Sequence, residues 1–346
     1  MTEEYIQLLS TLIATPSVSR AEEATAGLLE AWLRQRGVPT RRIANNIVAR
    51  GSVWDAVKPT LMLNAHHDTV KPNPGYTRNP FQPTVEDGRL YGLGSNDDGG
   101  SVIALIATFL RLKDSELPFN LLLAISAEEE CSGANGMRLL LQHIGPVDMA
   151  IVGEPTGMKC AVGERGLMVL DCTAYGRSGH AARGDGENAL YKALDDIARL
   201  RSLHFPRKSA LMGDIGINVT QIQAGTQHNV IPAECRFVVD VRTTDEYTNE
   251  ETLAIISAAV KSEVKARSTH LHASYISVGH PLVKAVDRLG IEKFLSPTMS
   301  DMTLMPFPTI KIGPGDSRRS HSADEYILID EIDRATETYI KLIHAI

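Results

Sequence analysis

No two cysteines in this sequence form a C-x-x-C pair. The four it has, Cys131, Cys160, Cys172 and Cys235, are scattered. That speaks against a cysteine zinc site and suits a reducing cytoplasm, with each thiol expected as a small buried apolar side chain. A basic excess is also missing. Lys and Arg total 35 against 42 Asp and Glu, a formal net charge of −7, which argues against a nucleic-acid binder and leaves room for a locally basic pocket. No apolar run approaches the roughly 20 residues that span a bilayer. The start, MTEEYIQLLSTLIATPS, is acidic and amphipathic and lacks the basic head and unbroken apolar stretch of a secretory signal. The expectation is a cytoplasmic protein with no membrane partner. There is no internal repeat and no low-complexity segment. What is present, 346 residues of which 43% are hydrophobic and 22% charged, is the composition of a soluble globular protein with one large domain or two.

Helical spacing marks residues 3–15 and 21–36, with Gly37 ending the second. A short apolar strand at 60–64 stops at 65-AHHD-68, and a proline- and glycine-rich loop follows over 71–83. The segment 94-GSNDDGG-100 leads into a helix so apolar on every face that it must be buried. Strands at 121–126 and 148–152 end at three glutamates and at 153-GEPTG-157. This rhythm predicts an α/β fold with a mostly parallel twisted sheet. Near 166 the character changes. GLMVLDCTAYG alternates with period two, a helix follows over 187–203, then INVTQIQAG, ECRFVVDVRT, a helix over 249–264 and a strand near 269–276. The order β-α-β-β-α-β is the ferredoxin-like pattern. The predicted organisation is a catalytic domain in two parts, 1–165 and 277–346, with a ferredoxin-like α+β domain, 166–276, inserted between them.

In 121-LLLAISAEEECSG-133 a buried strand runs straight into Glu128, Glu129 and Glu130. Adjacent carboxylates there stay ionised only with compensating positive charge. In open parallel sheets, ligands sit beyond the carboxyl ends of the strands, and further polar clusters fall at such places: His66-His67-Asp68, Asp97-Asp98 and Glu154, with 320-SHSADEY-326 near the C-terminus. A single strand-end Asp is usually a helix cap. Several acid and histidine clusters at one sheet end suit one or two divalent transition metals, zinc most readily, with an Asp carboxylate able to bridge a pair.

The set H-x-D, G-x-x-D, acid-E-E, G-E-P-T and late H-S-x-x-E, spread over nearly the whole chain, resembles the dinuclear metallopeptidases and deacylases that include acetylornithine deacetylase, succinyl-diaminopimelate desuccinylase, aminoacylases and glutamate carboxypeptidases. The resemblance implies two divalent ions per chain, zinc first, with cobalt or manganese as alternatives. It assigns His66 and Glu154 to one metal, His321 to the other, Glu130 as a metal ligand, and Asp97 as the bridge. Asp68 would orient the His66 imidazole, His67 would be structural, and Glu129 would be the general base. Glu128 stands where an Asp is commoner, and the Asp98 neighbourhood, DDGG, departs from the usual D-M-K-G. In the inserted domain, 176-GRSGH-180 resembles the segment whose histidine serves a partner subunit's site, so His180 would stabilise the oxyanion of a homodimer built through that domain; a plain interface histidine is the alternative. Asn229 and Arg242 resemble residues that hold a substrate carboxylate, against a solvated strand-edge arginine. Gly313 and Gly315 would offer backbone donors to substrate, against a simple turn, and 318-RR-319 reads as a solvated charge pair.

The implied activity is a zinc-dependent amide hydrolase that deacylates a small N-acyl amino acid, N2-acetyl-L-ornithine or N2-succinyl-L-ornithine in arginine biosynthesis. The alternatives are a succinyl-diaminopimelate desuccinylase, then a metal-dependent dipeptidase or aminopeptidase. From another class comes a zinc-binding assembly protein without turnover. The presence of Asp68 and Glu129, which bind no metal and are needed for turnover, speaks against that last reading.

Overall fold

The computed structural model describes residues 3–346. The chain divides into two compact units. The first runs to Gly163 and resumes over Tyr275–Phe294 and Ser300–Ile346; the second comprises Glu164–Ser274 and Leu295–Met299. No helix among the described residues is long and apolar enough to cross a membrane.

In the first unit the sheet runs in the order Thr40–Ile43, Asn46–Arg50, Asn120–Ser126, Thr60–His66, Met149–Val152, Thr309–Lys311, and continues to Cys160–Glu164. The last four named before that continuation are mutually parallel. All seven residues of Thr60–His66 and of Asn120–Ser126 are buried, because layers cover both faces, and this is why their sequences are unbroken apolar runs. The sheet is mixed, which corrects the expectation of a mostly parallel one. Thr40–Ile43 and Asn46–Arg50 form a hairpin through Ala44 and Asn45, with Ala44 at φ +51°, and a two-residue connection admits only antiparallel pairing. Cys160–Glu164 also meets Thr309–Lys311 antiparallel.

Helix Gly100–Leu112 buries eleven of its thirteen residues, lying between the sheet and helix Ile329–Ala345. Gly153 lets it come close: a Cβ there would stand 2.4 Å from the Ser101 Cβ.

The second unit has four strands in the order Gly216–Ala224, Glu234–Thr243, Gly166–Tyr175, Glu263–Ala266, each antiparallel to its neighbour. Helices Ala189–Arg201 and Asn249–Ala259 flank it. Leu170, Cys172, Phe237 and Val239 from the strands pack with Ala193 and Ile256 from the helices, which the period-two alternation of the strands requires. Two boundaries differ from expectation. The second helix stops at Ala259 and the last strand is Glu263–Ala266; within 269–276 only Ser274–Tyr275 is extended. The Asp196 carboxylate accepts the N–H groups of Lys261 and Ser262 and the Ser262 hydroxyl. It thereby satisfies donors that would otherwise continue a helix. Cys160, Cys172 and Cys235 are buried, but Cys131 is exposed, because it lies in the turn after the glutamates rather than in a strand.

Candidate metal centre

The carboxyl ends of the parallel strands deliver the polar clusters of the first unit to one place. Thr60–His66 ends in His66, Asn120–Ser126 leads to Glu129 and Glu130, and Met149–Val152 leads to Glu154. Asp97 arrives from the turn before helix Gly100–Leu112, and His321 from the segment before Tyr326–Leu328.

Asp97 lies between two imidazoles. Its Oδ1 is 3.2 Å from His66 Nε2 and its Oδ2 is 3.7 Å from His321 Nε2. Glu154 Oε1 lies 3.8 Å from His66 Nε2, and Glu130 Oε2 lies 2.9 Å from His321 Nε2. Two donor groups thus share one carboxylate: His66, Asp97 and Glu154, and His321, Asp97 and Glu130. Glu129 Oε2 stands 3.9 Å from His66 Nε2. Donor atoms of His66, Asp97 and Glu130 lie within 4.8 Å of one another, as do those of His66, Glu129 and Glu154.

The electrostatics show what this cluster wants. Burial, followed by the charges of Glu154, Asp301 and Glu130, pushes Glu129 well above the usual carboxylate range. Burial and the charge of Asp97 do the same to Glu154. Burial opposes protonation of His66, yet the charge of Glu129 and hydrogen bonds to Asp68 and Asp97 carry its pKa well above 6.5. The hydrogen bond to Glu130 raises His321 to about 9. Four carboxylates and two imidazoles therefore converge with too little positive charge among them. Nitrogen and carboxylate oxygen donors with one shared carboxylate fit a pair of divalent cations.

The sequence pattern of Peptidase family M20/M25/M40 matches residues 62–345, which includes every one of these candidate ligands. The chain belongs to this family. It is an amide hydrolase. An acetylornithine deacetylase of Edwardsiella ictaluri is 30% identical to this M20 chain over 98% of it and 97% of the relative. One of Proteus mirabilis is 29% identical over 98% and 96%. Among solved structures, the aminopeptidase PepT of Bacillus cereus superposes with a TM-score of 0.80 at 18% identity, covering 99% of this chain and 98% of that one. A dinuclear metal-binding M20 peptidase of Bacillus subtilis gives 0.71 at 17%, covering 98% and 96%. At those identities the structures speak for the fold.

Around these candidate ligands lies a second set of groups. Asp68 is fully buried. Its Oδ1 lies 3.5 Å from His66 Nδ1, and its carboxylate accepts the N–H groups of Glu129 (3.0 Å) and Glu130 (3.2 Å) and the Ser19 hydroxyl (2.6 Å). His66 Nδ1 lies 3.1 Å from the Asp68 main-chain carbonyl, while the Asp68 carboxylate holds the glutamate turn, a task invisible in the H-x-D motif. Glu128, at φ +55°, turns its carboxylate to the N–H (3.1 Å) and the side-chain amide (2.9 Å) of Asn135 and so braces the turn.

Three further residues escaped the sequence reading. Glu325 accepts the N–H groups of Gly94 (3.2 Å), Asn96 (2.9 Å) and Asp97 (2.9 Å), holding the segment that carries Asp97. It is the final letter of H-S-x-x-E, which was its only signal. Asp301 is buried with its Oδ2 2.6 Å from the Ser126 hydroxyl, and its charge bears on Glu129. Lys311 is buried on strand Thr309–Lys311, and its charge opposes the upward shift of Glu154. No motif marks either of these two.

Asp98 is buried, and burial with the charge of Asp97 pushes it up to about 8. Gly313 brings the Glu154 backbone close, since a Cβ would lie 2.5 Å from the Glu154 carbonyl oxygen, but its N–H already donates to the Thr156 hydroxyl (3.0 Å). Gly315, at φ +87°, abuts the Asn96 side chain. Arg318 is paired with Asp316 and Arg319 with Glu331. His180, Asn229 and Arg242 lie in the second unit. His180 pairs with Val230 in a short ladder, and the Ala181 N–H reaches the Asn229 carbonyl (3.0 Å). His180 Nδ1 accepts the Ala182 N–H (3.2 Å), which leaves Nε2 as the ring nitrogen that carries an N–H. Arg242 grips Asp240 with Nε and Nη2 at 2.9 and 3.1 Å.

His67 points away from the ligands. It is buried, with Nδ1 2.9 Å from the Thr25 hydroxyl and Nε2 2.9 Å from the Asn45 carbonyl. Burial pushes its pKa down to about 4. Between that value and the unfolded value near ~6.5 the unfolded chain binds the extra proton, so stability falls as pH drops through this window and levels off below it. The expected contribution is about 3 kcal/mol. Urea unfolding of wild type and His67→Gln at several pH values from neutral to 4 checks it. The difference between the two curves must shrink or reverse with acid, and parallel curves would remove His67 as the cause.

Proposed function

We propose that this M20 hydrolase removes the acyl group of N2-acetyl-L-ornithine or N2-succinyl-L-ornithine in arginine biosynthesis, as a cytoplasmic homodimer using two divalent ions, zinc foremost. The observation that carries the hydrolytic reading is the Asp97 carboxylate divided between the His66 and His321 groups with Glu129 alongside. The substrate class rests on the likeness to acetylornithine deacetylases along nearly the whole of both chains.

His66, Asp97 and Glu154 would hold one cation, and Asp97, Glu130 and His321 the other. When bound, the two supply positive charge that polarises the amide carbonyl and lets water ionise near neutral pH. Glu129 takes the proton of the attacking water at its carboxylate and returns it to the leaving amine. Asp68 keeps Glu129 and His66 in register through the bonds described above. His180 of one subunit donates its Nε2–H to the oxyanion in the other subunit's site, with residues 166–276 serving as lid and dimerisation domain. Asn229 and Arg242 hold the substrate carboxylate, the latter after exchanging Asp240 for it; the planar guanidinium suits either partner.

Aminopeptidase and dipeptidase structures share the fold, which keeps a peptidase as the competing reading beside a succinyl-diaminopimelate desuccinylase. Initial rates of amine release from acetylornithine, succinylornithine, succinyl-diaminopimelate and a neutral dipeptide separate them. One ornithine derivative should exceed the others in kcat/KM by at least about tenfold, the size of difference a built side-chain pocket supplies. Faster cleavage of the dipeptide would replace this proposal with the peptidase.

A further inference from the structure

A second concave site lies in the first unit, away from the ligands. Between the hairpin Thr40–Ile43/Asn46–Arg50 and the segment around Ile144 is a cavity of about 660 Å³, within the range of small-molecule sites. Val48 and Ile144, which belong to the apolar core, form its floor. Arg41 and Arg50 stand in its wall with Ser52. Val48 faces Arg41 across the hairpin, and Arg50, two residues on, shares that face of the strand. Arg41 donates to the His143 carbonyl (2.8 Å), and the Arg50 guanidinium stacks 4.5 Å from the Trp54 ring centre. Neither meets a carboxylate among the described residues. An apolar floor under two arginines free of counter-ions selects an oxyanion on a short apolar stem.

The location is informative. Arg50 pairs with Leu122 near the start of strand Asn120–Ser126. That is about 13 Å of strand from the end that feeds the glutamates. The other end of the same hairpin touches the catalytic turn. The Asn45 carbonyl meets His67 Nε2 (2.9 Å), Asn46 Oδ1 accepts the Ala127 N–H (3.0 Å), and Asn46 Nδ2 donates to the Asn135 carbonyl (2.6 Å). Ala127 precedes Glu128 and Glu129, and Asn135 is the residue that clamps Glu128. We propose that this cavity is an effector site for a small organic anion, carboxylate or phosphate ester, and that the hairpin 40–50 transmits its occupancy to the Glu128–Glu130 turn.

The test titrates metal-loaded protein calorimetrically with hexanoate, hexyl phosphate, acetate, inorganic phosphate and hexan-1-ol. One or both six-carbon anions should bind saturably, at least about tenfold tighter than acetate or phosphate, and the alcohol should not bind; which of the two anions prevails identifies the head group. Arg41→Ala and Arg50→Ala should each weaken that binding by about tenfold. Asp97→Ala should leave it in place, because the metal centre is not the site. Saturating anion should shift kcat or KM of the wild type, while Arg50→Ala keeps the basal rate and loses the shift. The substrate must in turn change the anion's Kd by the same factor as the anion changes the substrate's. Binding that survives both arginine variants, or that disappears in Asp97→Ala, overturns the site. Binding at the arginines with no kinetic shift overturns its role as an effector.

Discussion

Glu129→Gln protein will fold and bind both metal ions, and will hydrolyse its substrate at least 100-fold more slowly, since general acid–base catalysis contributes about 10²–10⁴-fold. The substitution keeps the volume and removes the proton acceptor. Neither donor group needs Glu129, whose Oε2 stands 3.9 Å from His66 Nε2 while Asp97 and Glu154 complete the set around that imidazole. The loss should fall on kcat with KM nearly unchanged, because the missing interaction belongs to the transition state. The two flanking glutamates provide the contrast. Glu130 lies 2.9 Å from His321 Nε2, so Glu130→Gln should weaken metal binding and recover part of its activity in excess zinc. Glu128 is spent on Asn135, so Glu128→Gln should be the mildest of the three. Metal content and rate measured on all three decide the assignment; a metal-depleted Glu129→Gln beside a metal-replete, inactive Glu128→Gln would show the register to be off by one. The same variant tests the neighbouring subunit. Glu129→Gln chains mixed with His180→Ala chains should regain activity after subunit exchange, because one site of each hybrid then has both residues. A fully active monomer would rule out a shared site.

How much of this was legible in the sequence depends on where each residue's partners lie. Strands Thr60–His66 and Asn120–Ser126 could be read directly, because burial on both faces writes itself as an apolar run and the ligands stand immediately after it. Helix Gly100–Leu112 was legible for the same reason. Where a distant group decides, local pattern fails. The second helix of the smaller unit ends at Ala259 because of Asp196, which is 65 residues from Lys261 in the chain. The edge hairpin is antiparallel because of a two-residue turn that no apolar rhythm announces. Side-chain roles of motif residues were visible, whereas work done on the backbone was not. Glu325 has no ligand role to betray it, yet three N–H groups depend on it. Asp301 and Lys311 are single buried charges whose meaning comes only from Glu129 and Glu154 nearby. The glycines show the converse. Gly313 makes room for the Glu154 backbone and its N–H donates to the Thr156 hydroxyl, details that letter identity cannot carry.

Asp97→Ala should empty both metal positions, and His321→Ala only one. The reason is the division of a single carboxylate between the two donor groups, Oδ1 toward His66 and Oδ2 toward His321. Without it the first group retains His66 and Glu154 and the second Glu130 and His321, two protein ligands each, where hydrolytic sites of this kind ordinarily offer at least three. His321→Ala leaves the His66, Asp97 and Glu154 set complete. Asp98, buried next to Asp97, belongs to neither donor group. Elemental analysis after gel filtration should therefore find about two ions per chain in the wild type, about one in His321→Ala and well under one in Asp97→Ala. Hydrolysis should fall below detection in Asp97→Ala even with added zinc, since excess metal restores occupancy of a weakened position but not a missing bridge. Asp97→Asn refines the point. It keeps the shape and the backbone N–H donation to Glu325 at this position but loses one anionic oxygen, so it should fall between Asp97→Ala and the wild type in metal content. Two ions retained by Asp97→Ala would mean that the donor groups are independent and that Asp97 bridges nothing.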